Sequence, residues 1–492
     1  MPFLVFIAFF LLGLALRQGA LMDPDAGWHI AAGDLIRETG AAPEADPWSY
    51  SAPGSQWYDI SWAYDVVLSL LHGWGGLAAV VVFSIALYAL AVAITGAIAL
   101  RASGSLVAAT IATALIGFVL LPGMLARPHV ASFLFILAFY WLLRWGAPRL
   151  LWALPVLMAC WANIHGGFLA AFVIIGAFFL EALAVKDIHR CMRLAVIGAL
   201  CAVAIFVNPY GVHIIDAVRL TMNSAMRDVL MEWRPLELNE LSPATVFIAL
   251  AALVSALHVR SIPLADKILA CFWIVMGVSS VRMMQIAALL SAPYLAQALA
   301  LRLRGAPFGA ALMRRELGYM HDLARPAVTA ALAVVCGVFA SAGFIAPVQR
   351  AAAGGEAFVS FPAHIAVDGA IDAAMTRYDG ARLYAGYGLG GYLIYRERGR
   401  LLVFADGRAD TAYPRAVLED AIVIGVMDPR RSIDAAYEAD WRARVTAQGI
   451  EGFLIARGGR LEAFLTRAGD WAPVYEDNDA ALYMRRDLAA RG

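Results

Sequence analysis

Residues 77–100 read LAAVVVFSIALYALAVAITGAIAL. No charged side chain interrupts this run, and its length is that of a helix crossing hydrocarbon, about 20 residues. A lipid-embedded backbone must bond all its own N–H and C=O groups, and a helix does so within one segment. The run therefore predicts a membrane-spanning helix. Similar runs lie at Phe3–Met22, Leu106–Leu121, Val130–Trp145, Leu151–Ile164, Phe168–Ala184, Leu194–Val207, Ala244–Leu257, Ile268–Val281, Met284–Leu301 and Ala327–Ala346. About eleven spans make this a mainly α, polytopic membrane protein. The first run has no basic residues before it and no small-x-small cleavage pattern, so it reads as a retained anchor.

Composition agrees. Of 492 residues, 62% are hydrophobic and 15% charged, against roughly 25% charged in soluble domains. Mean hydropathy is +0.71. A disordered chain, a disulfide scaffold and an ordinary soluble enzyme are excluded. Net charge is zero, so no global basic field invites nucleic acid. The five cysteines, Cys160, Cys191, Cys201, Cys271 and Cys336, lie in or beside apolar runs with no CxxC spacing. They read as small buried hydrophobes.

Lys and Arg gather in alternate loops, most densely at Arg302, Arg304, Arg314, Arg315 and Arg325. By the positive-inside rule the N-terminus is cytoplasmic. An odd number of spans then puts the tail outside. Residues 1–348 form the membrane domain, with outer loops 23–76 and 208–242. Residues 349–492 form a soluble extracytoplasmic α/β domain, with strands expected at Arg382–Ala385, Leu401–Ala405, Gly452–Ala456, Ala472–Tyr475 and Ala480–Met484, and a turn at Glu476–Asp479. Within the first loop, Asp59–Leu71 has apolar residues at helical spacing and reads as an amphipathic helix on the membrane surface.

Ionisable groups beside apolar spans are costly and mark functional sites. On this topology Asp23, Asp25, His29, Arg127, His129, Asn163, His165, Asn208, Tyr210, Glu232, Arg234 and Arg282 share the outer face. Asp25 and His29 are four apart and share a helix face. This group suits a general base, a divalent metal site, or a helix cap with a surface histidine. Arg127 and Arg282 suit phosphate or snorkelling. Asn163-Ile-His165-Gly-Gly suits close ligand approach or a capped turn. Trp28, Trp48, Trp57, Trp62 and Trp74 suit an interfacial belt or sugar stacking. Asp406-Gly-Arg408-Ala-Asp410 suits an α/β site or a loop salt bridge. The glycines of 386–391 lack a full dinucleotide fingerprint.

The first loop, DPDAGWHIAAGDLIRETGAAPEADPWSYSAPG, resembles the opening loop of bacterial GT-C glycosyltransferase-like membrane proteins. Asp23, Asp25, Trp28, His29, Gly33, Asp46, Pro47, Ser49 and Tyr50 carry the resemblance. Arg127-Pro128, Asn163-x-His165-Gly-Gly, Asn208-Pro209-Tyr210-Gly211, Gly390–Ile394 and Asp406–Asp410 follow in the same order. Gly27 stands where a bulky residue is usual, which would loosen the loop or enlarge its pocket.

The resemblance implies an inverting transferase in a bacterial cytoplasmic (inner) membrane. It would move a hexosyl or pentosyl group from a polyprenyl-phosphate donor to a glycan, lipid or protein acceptor of the cell envelope. Asp25, or else Asp23, would be the base. The candidate substrate contacts are His29, Arg127, His129, Asn163, His165, Tyr210, Glu232 and Arg282; charge and topology, not the resemblance, put Arg127 and Arg282 at the phosphate. No cofactor is assigned, and a divalent metal at Asp25 and His29 is left open. The alternatives are a lipid-linked glycan transporter, a polymerase or ligase, and a non-catalytic scaffold.

Overall fold

The computed structural model describes residues 2–17, 20–258, 261–305 and 359–490. The expected span Ala327–Ala346 and Cys336 lie outside the described residues. The chain divides into two compact units. One comprises 1–19, 80–208 and 232–358; the other comprises 20–79, 209–231 and 359–492.

The first unit is helical. Helices cover Pro2–Arg17, Leu106–Leu120, His129–Trp145, Leu154–Ala162, Ala170–Ala184, Ile188–Ala204, Pro243–His258, Leu264–Ser279 and Val281–Gly305, each at an apolar run read from the sequence. The helix Trp62–Ser103 enters this unit from the other and breaks at Gly75 and Gly76. Gly76 has φ 61° and ψ −158°, a conformation essentially reserved for glycine. The break falls where the apolar run begins, so 62–74 is a separate helix that precedes the apolar helix 77–103. By length and composition, four of the described helices can cross a membrane, and shorter apolar helices accompany them. Together they make this a polytopic helical membrane protein.

Small residues let these helices approach. A Cβ on Gly277 would lie 2.8 Å from Met284 Cε and 3.1 Å from Ala287, the small-residue packing that lipid-embedded helices favour. A buried polar knot ties the helices around Arg144. Its guanidinium bonds Glu181 at 3.0 Å and Asp266 at 2.7 Å. The Tyr140 hydroxyl and the Gln297 amide also donate to Asp266. Cys191 and Cys201 are buried as expected, whereas Cys160 and Cys271 are exposed on their helices.

The second unit joins the first loop, residues 20–79, and residues 209–231 to the tail. Its sheet has strands β1 (Leu383–Ala385), β2 (Gly452–Ala456), β3 (Trp471–Glu476) and β4 (Ala480–Arg485), in the order β1-β2-β4-β3. β1 and β2 are parallel and the other pairings antiparallel. Trp441, Phe453, Phe464 and Trp471 pack as an aromatic core with ring centroids 4.7–5.6 Å apart. The expected β3–β4 turn is present, and Asp477 Oδ1 accepts the N–H groups of Asp479 and Ala480 at 2.8 Å.

The expected strand Leu401–Ala405 does not join the sheet. Val403 forms an isolated bridge with Ser49 of the first loop. Its N–H donates to Trp48 O at 2.9 Å, and its carbonyl accepts from Tyr50 N–H at 3.1 Å. The extended conformation is as expected, but the backbone partner comes from a distant segment.

Candidate functional site

Helix Asp25–Thr39 carries the acidic motif. Asp23 Oδ1 accepts the Asp25 N–H at 3.2 Å, closing the helix entry. Asp23 is buried; Asp25, in the first turn, is half-buried. A helix N-terminus favours negative charge there. Two glycines let this helix sit between neighbours. A Cβ on Gly27 would overlap the Gly391 carbonyl oxygen, and one on Gly391 would overlap that of Pro24. A Cβ on Gly33 would overlap the Asp65 carbonyl oxygen and lie 2.7 Å from Ser69 Cβ. Gly27 thus serves a tight helix crossing, not the loosened loop expected from sequence. Gly390 likewise backs onto Asp406, whose Cβ would be 2.5 Å from an added methyl. Packing therefore accounts for both glycines of the 390–391 pair.

His29 is not a surface histidine. It is 3% exposed, and its Nδ1 lies 2.6 Å from Asp65 Oδ1. Asp65 and Asp59 are also buried, so the amphipathic segment turns its carboxylates inward rather than to a membrane surface. Asp59 accepts from the Ser61 hydroxyl at 2.9 Å and from its N–H at 3.2 Å. Burial, then the neighbouring Asp65, pushes Asp59 well above the ordinary carboxylate range. Burial pushes Asp65 up as well. Tyr210 closes this region, accepting the Asp59 N–H at 2.9 Å and donating to Pro43 O at 2.8 Å. Asp59 and Asp65 were visible in sequence only as acids on an apolar helical stripe. That was the signal of buried pairing.

A second buried network locks the loop to the tail. Arg408, fully buried, bonds Asp46 at 2.6 Å and Asp406 at 2.7 Å. It also donates to Tyr413 OH at 2.7 Å, and that hydroxyl donates to Asp406. Burial alone would lower the Arg408 pKa; Asp406 and Asp46 more than offset it, so the guanidinium stays charged. Trp48 and Trp57 stack about this cation at 5.1 and 4.9 Å. Trp28, Trp48 and Trp57 are core residues, not an interfacial belt, whereas Trp74 is 85% exposed.

The remaining sequence-derived residues lie in the other unit. Glu232 receives two guanidiniums, Arg127 at 3.8 Å and Arg282 in a close ion pair. Arg282 also lies 5.1 Å over the Trp233 ring. Both guanidiniums are partly exposed. His129 Nε2 is 2.9 Å from Gly123 O. His165 Nδ1 accepts the Gly167 N–H at 3.0 Å and lies 2.8 Å from Ser132 Oγ. The two histidine rings are 6.5 Å apart. Asn163 donates to Ala159 O and Val207 O at 2.8 and 2.6 Å, as a capping residue does. Asn208 donates to Ile205 O at 2.7 Å.

Among the described residues, no group of three His, Cys, Asp or Glu side chains is arranged to hold a metal ion. Asp65 instead takes up His29 Nδ1.

The fold is of the GT-C glycosyltransferase type, a membrane-helix body with a smaller α/β part. Similar solved structures include ArnT and an archaeal oligosaccharyltransferase. ArnT from Cupriavidus metallidurans bound to undecaprenyl phosphate superposes with a TM-score of 0.53 at 15% identity, over 98% of this chain and 98% of that one. The oligosaccharyltransferase AglB from Archaeoglobus fulgidus, in complex with an inhibitory peptide and a dolichol-phosphate, gives 0.56 at 12% identity, over 92% of this chain and 69% of that one. Its apo form gives 0.55 at 12% identity with the same coverage. No family model and no curated protein matches the chain.

Proposed function

We propose that this protein is an integral-membrane glycosyltransferase. It would take a sugar from a polyprenyl-phosphate donor and give it to a cell-envelope acceptor outside the bacterial inner membrane. The observation that carries this reading is the superposition along essentially the whole of ArnT bound to undecaprenyl phosphate. Asp25, a half-buried carboxylate opening a glycine-packed helix, is the general base in this reading. It takes the acceptor hydroxyl proton as that oxygen bonds to the anomeric carbon. The bond from that carbon to the donor phosphate oxygen breaks, and polyprenyl phosphate leaves with the bond's electrons. One displacement of this kind inverts the anomeric centre. Arg127 and Arg282, held by Glu232, are the phosphate ligands. Fixed cations would stabilise the charge that grows on the leaving phosphate. No step is routed through a metal.

The test uses purified protein in nanodiscs with radiolabelled polyprenyl-phosphate sugars and a cell-envelope extract as acceptor. Wild type should consume labelled lipid; Asp25→Asn should fold and lose at least about 10²-fold in rate, the scale of general-base catalysis. Full turnover by folded Asp25→Asn and Asp23→Asn proteins would remove both from the role.

A further inference from the structure

The Asp406-Gly407-Arg408 turn of the tail lies directly against Asp25. A Cβ built on Gly407 would overlap Asp25 Oδ1, with the carboxyl carbon 2.5 Å away and Oδ2 2.7 Å away. Gly407 is not among the positive-φ glycines, so its backbone does not demand glycine. What demands it is the space taken by the carboxylate. The turn itself is rigid. Asp406 Oδ1 accepts the Arg408 N–H at 3.0 Å, and Ala409 N–H closes onto Asp406 O at 3.1 Å. The fully buried Arg408 bonds both Asp406 and Asp46. On the other side, the helix start is fixed by the approach of Gly391 to Pro24.

We propose that Gly407 is a positioning residue for Asp25, so that the tail domain supplies one wall of the catalytic site. This rests on reading Asp25 as the base. An added methyl at 407 meets the end of a short flexible side chain, not backbone. The carboxylate can therefore rotate away without a backbone shift, and the alanine variant tests position apart from fold. Misplacing a catalytic group by about 1 Å costs about 10²-fold in rate.

The experiment compares Gly407→Ala with Asp25→Asn and with Gly388→Ala, whose added Cβ meets nothing within 4 Å. In the nanodisc assay, Gly407→Ala should lower kcat about 10²-fold with an unchanged KM for labelled donor and an unchanged Tm. Gly388→Ala should match wild type. A second readout needs no turnover. Carbodiimide labelling of Asp25, followed by peptide mass spectrometry, should speed up several-fold in Gly407→Ala as the carboxyl leaves its seat. Gly407→Ala with wild-type kcat beside an inactive Asp25→Asn would overturn the inference and leave the function reading standing. An active Asp25→Asn would overturn the function reading and the inference with it. An unchanged labelling rate, or activity lost only in step with Tm, would reduce Gly407 to a packing residue.

Discussion

Arg408 has no exposed side-chain surface, and neither have its partners Asp46 and Asp406. Removing one member of such a group strands an uncompensated buried charge, at about 3–5 kcal/mol. Arg408→Gln should therefore lose about that much in denaturant unfolding of the detergent-solubilised protein. Adding Asp46→Asn and Asp406→Asn should recover part of it; no recovery would mean that shape, not charge, holds the network. Each residue was visible in sequence as part of a motif. Their pairing across 362 positions was not, because no local pattern records a partner so distant. Asp59 and Asp65 make a different prediction. Burial raises both, with Asp65 adding to the rise at Asp59, so the folded protein keeps a proton that the unfolded chain gives up above about pH 4. The stability this provides is complete below that pH and drains as pH climbs toward the folded value. Tm should fall as pH rises above about 4, and Asp59→Asn should flatten the fall. Parallel Tm curves would show that the pair does not hold the proton.

Helices and strands follow the same division between local and distant causes. The apolar runs were legible because hydropathy is a property of one segment, and Gly75–Gly76 marked where helix 62–74 ends and the apolar helix begins. The β3–β4 hairpin was legible because its turn carries Asp477, which bonds its own next residues. Leu401–Ala405 misled because its extended pattern is satisfied by Ser49 and its neighbours rather than by the sheet. The Gly-Gly pair at 390–391, which lacks a full dinucleotide fingerprint, permits two helices to touch. Gly391→Val would drive a branched side chain into the Pro24 carbonyl and the Asp25 Cα, 3.2 Å from an added Cβ. Both are backbone atoms that cannot swing aside, in contrast to Gly407. Overpacking of this kind costs about 1–3 kcal/mol. Gly391→Val should thus lower Tm as well as activity, whereas Gly407→Ala should lower activity alone. An unshifted Tm in Gly391→Val would show that the crossing can open freely.

Residues 20–79, 209–231 and 359–492 pack as one unit, so all three segments belong on one side of the bilayer. The number of crossings between consecutive segments must then be even. Six apolar runs lie between the first and second segments, from Leu77–Leu100 to Leu194–Val207. Between the second and third the sequence has the apolar runs Ala244–Leu257, Ile268–Val281, Met284–Leu301 and Ala327–Ala346, the last of them outside the described residues. The positive-inside rule, applied to Lys and Arg of the intervening loops, predicts that the shared side is the exterior. Single cysteines in a cysteine-free background test this with a membrane-impermeant maleimide on intact cells. Glu44→Cys, Asn223→Cys and Arg400→Cys, all exposed, should label together. Arg149→Cys and His189→Cys, on expected inner loops and also exposed, should label only after permeabilisation. If Arg400→Cys labelled with the inner pair while Glu44→Cys labelled from outside, the bond from Arg408 to Asp46 could not exist in the membrane. The tail would then be detached from the catalytic loop, and Gly407 could not seat Asp25. Joint outside labelling would place the proposed base and its seat where a lipid-linked donor and an envelope acceptor can meet.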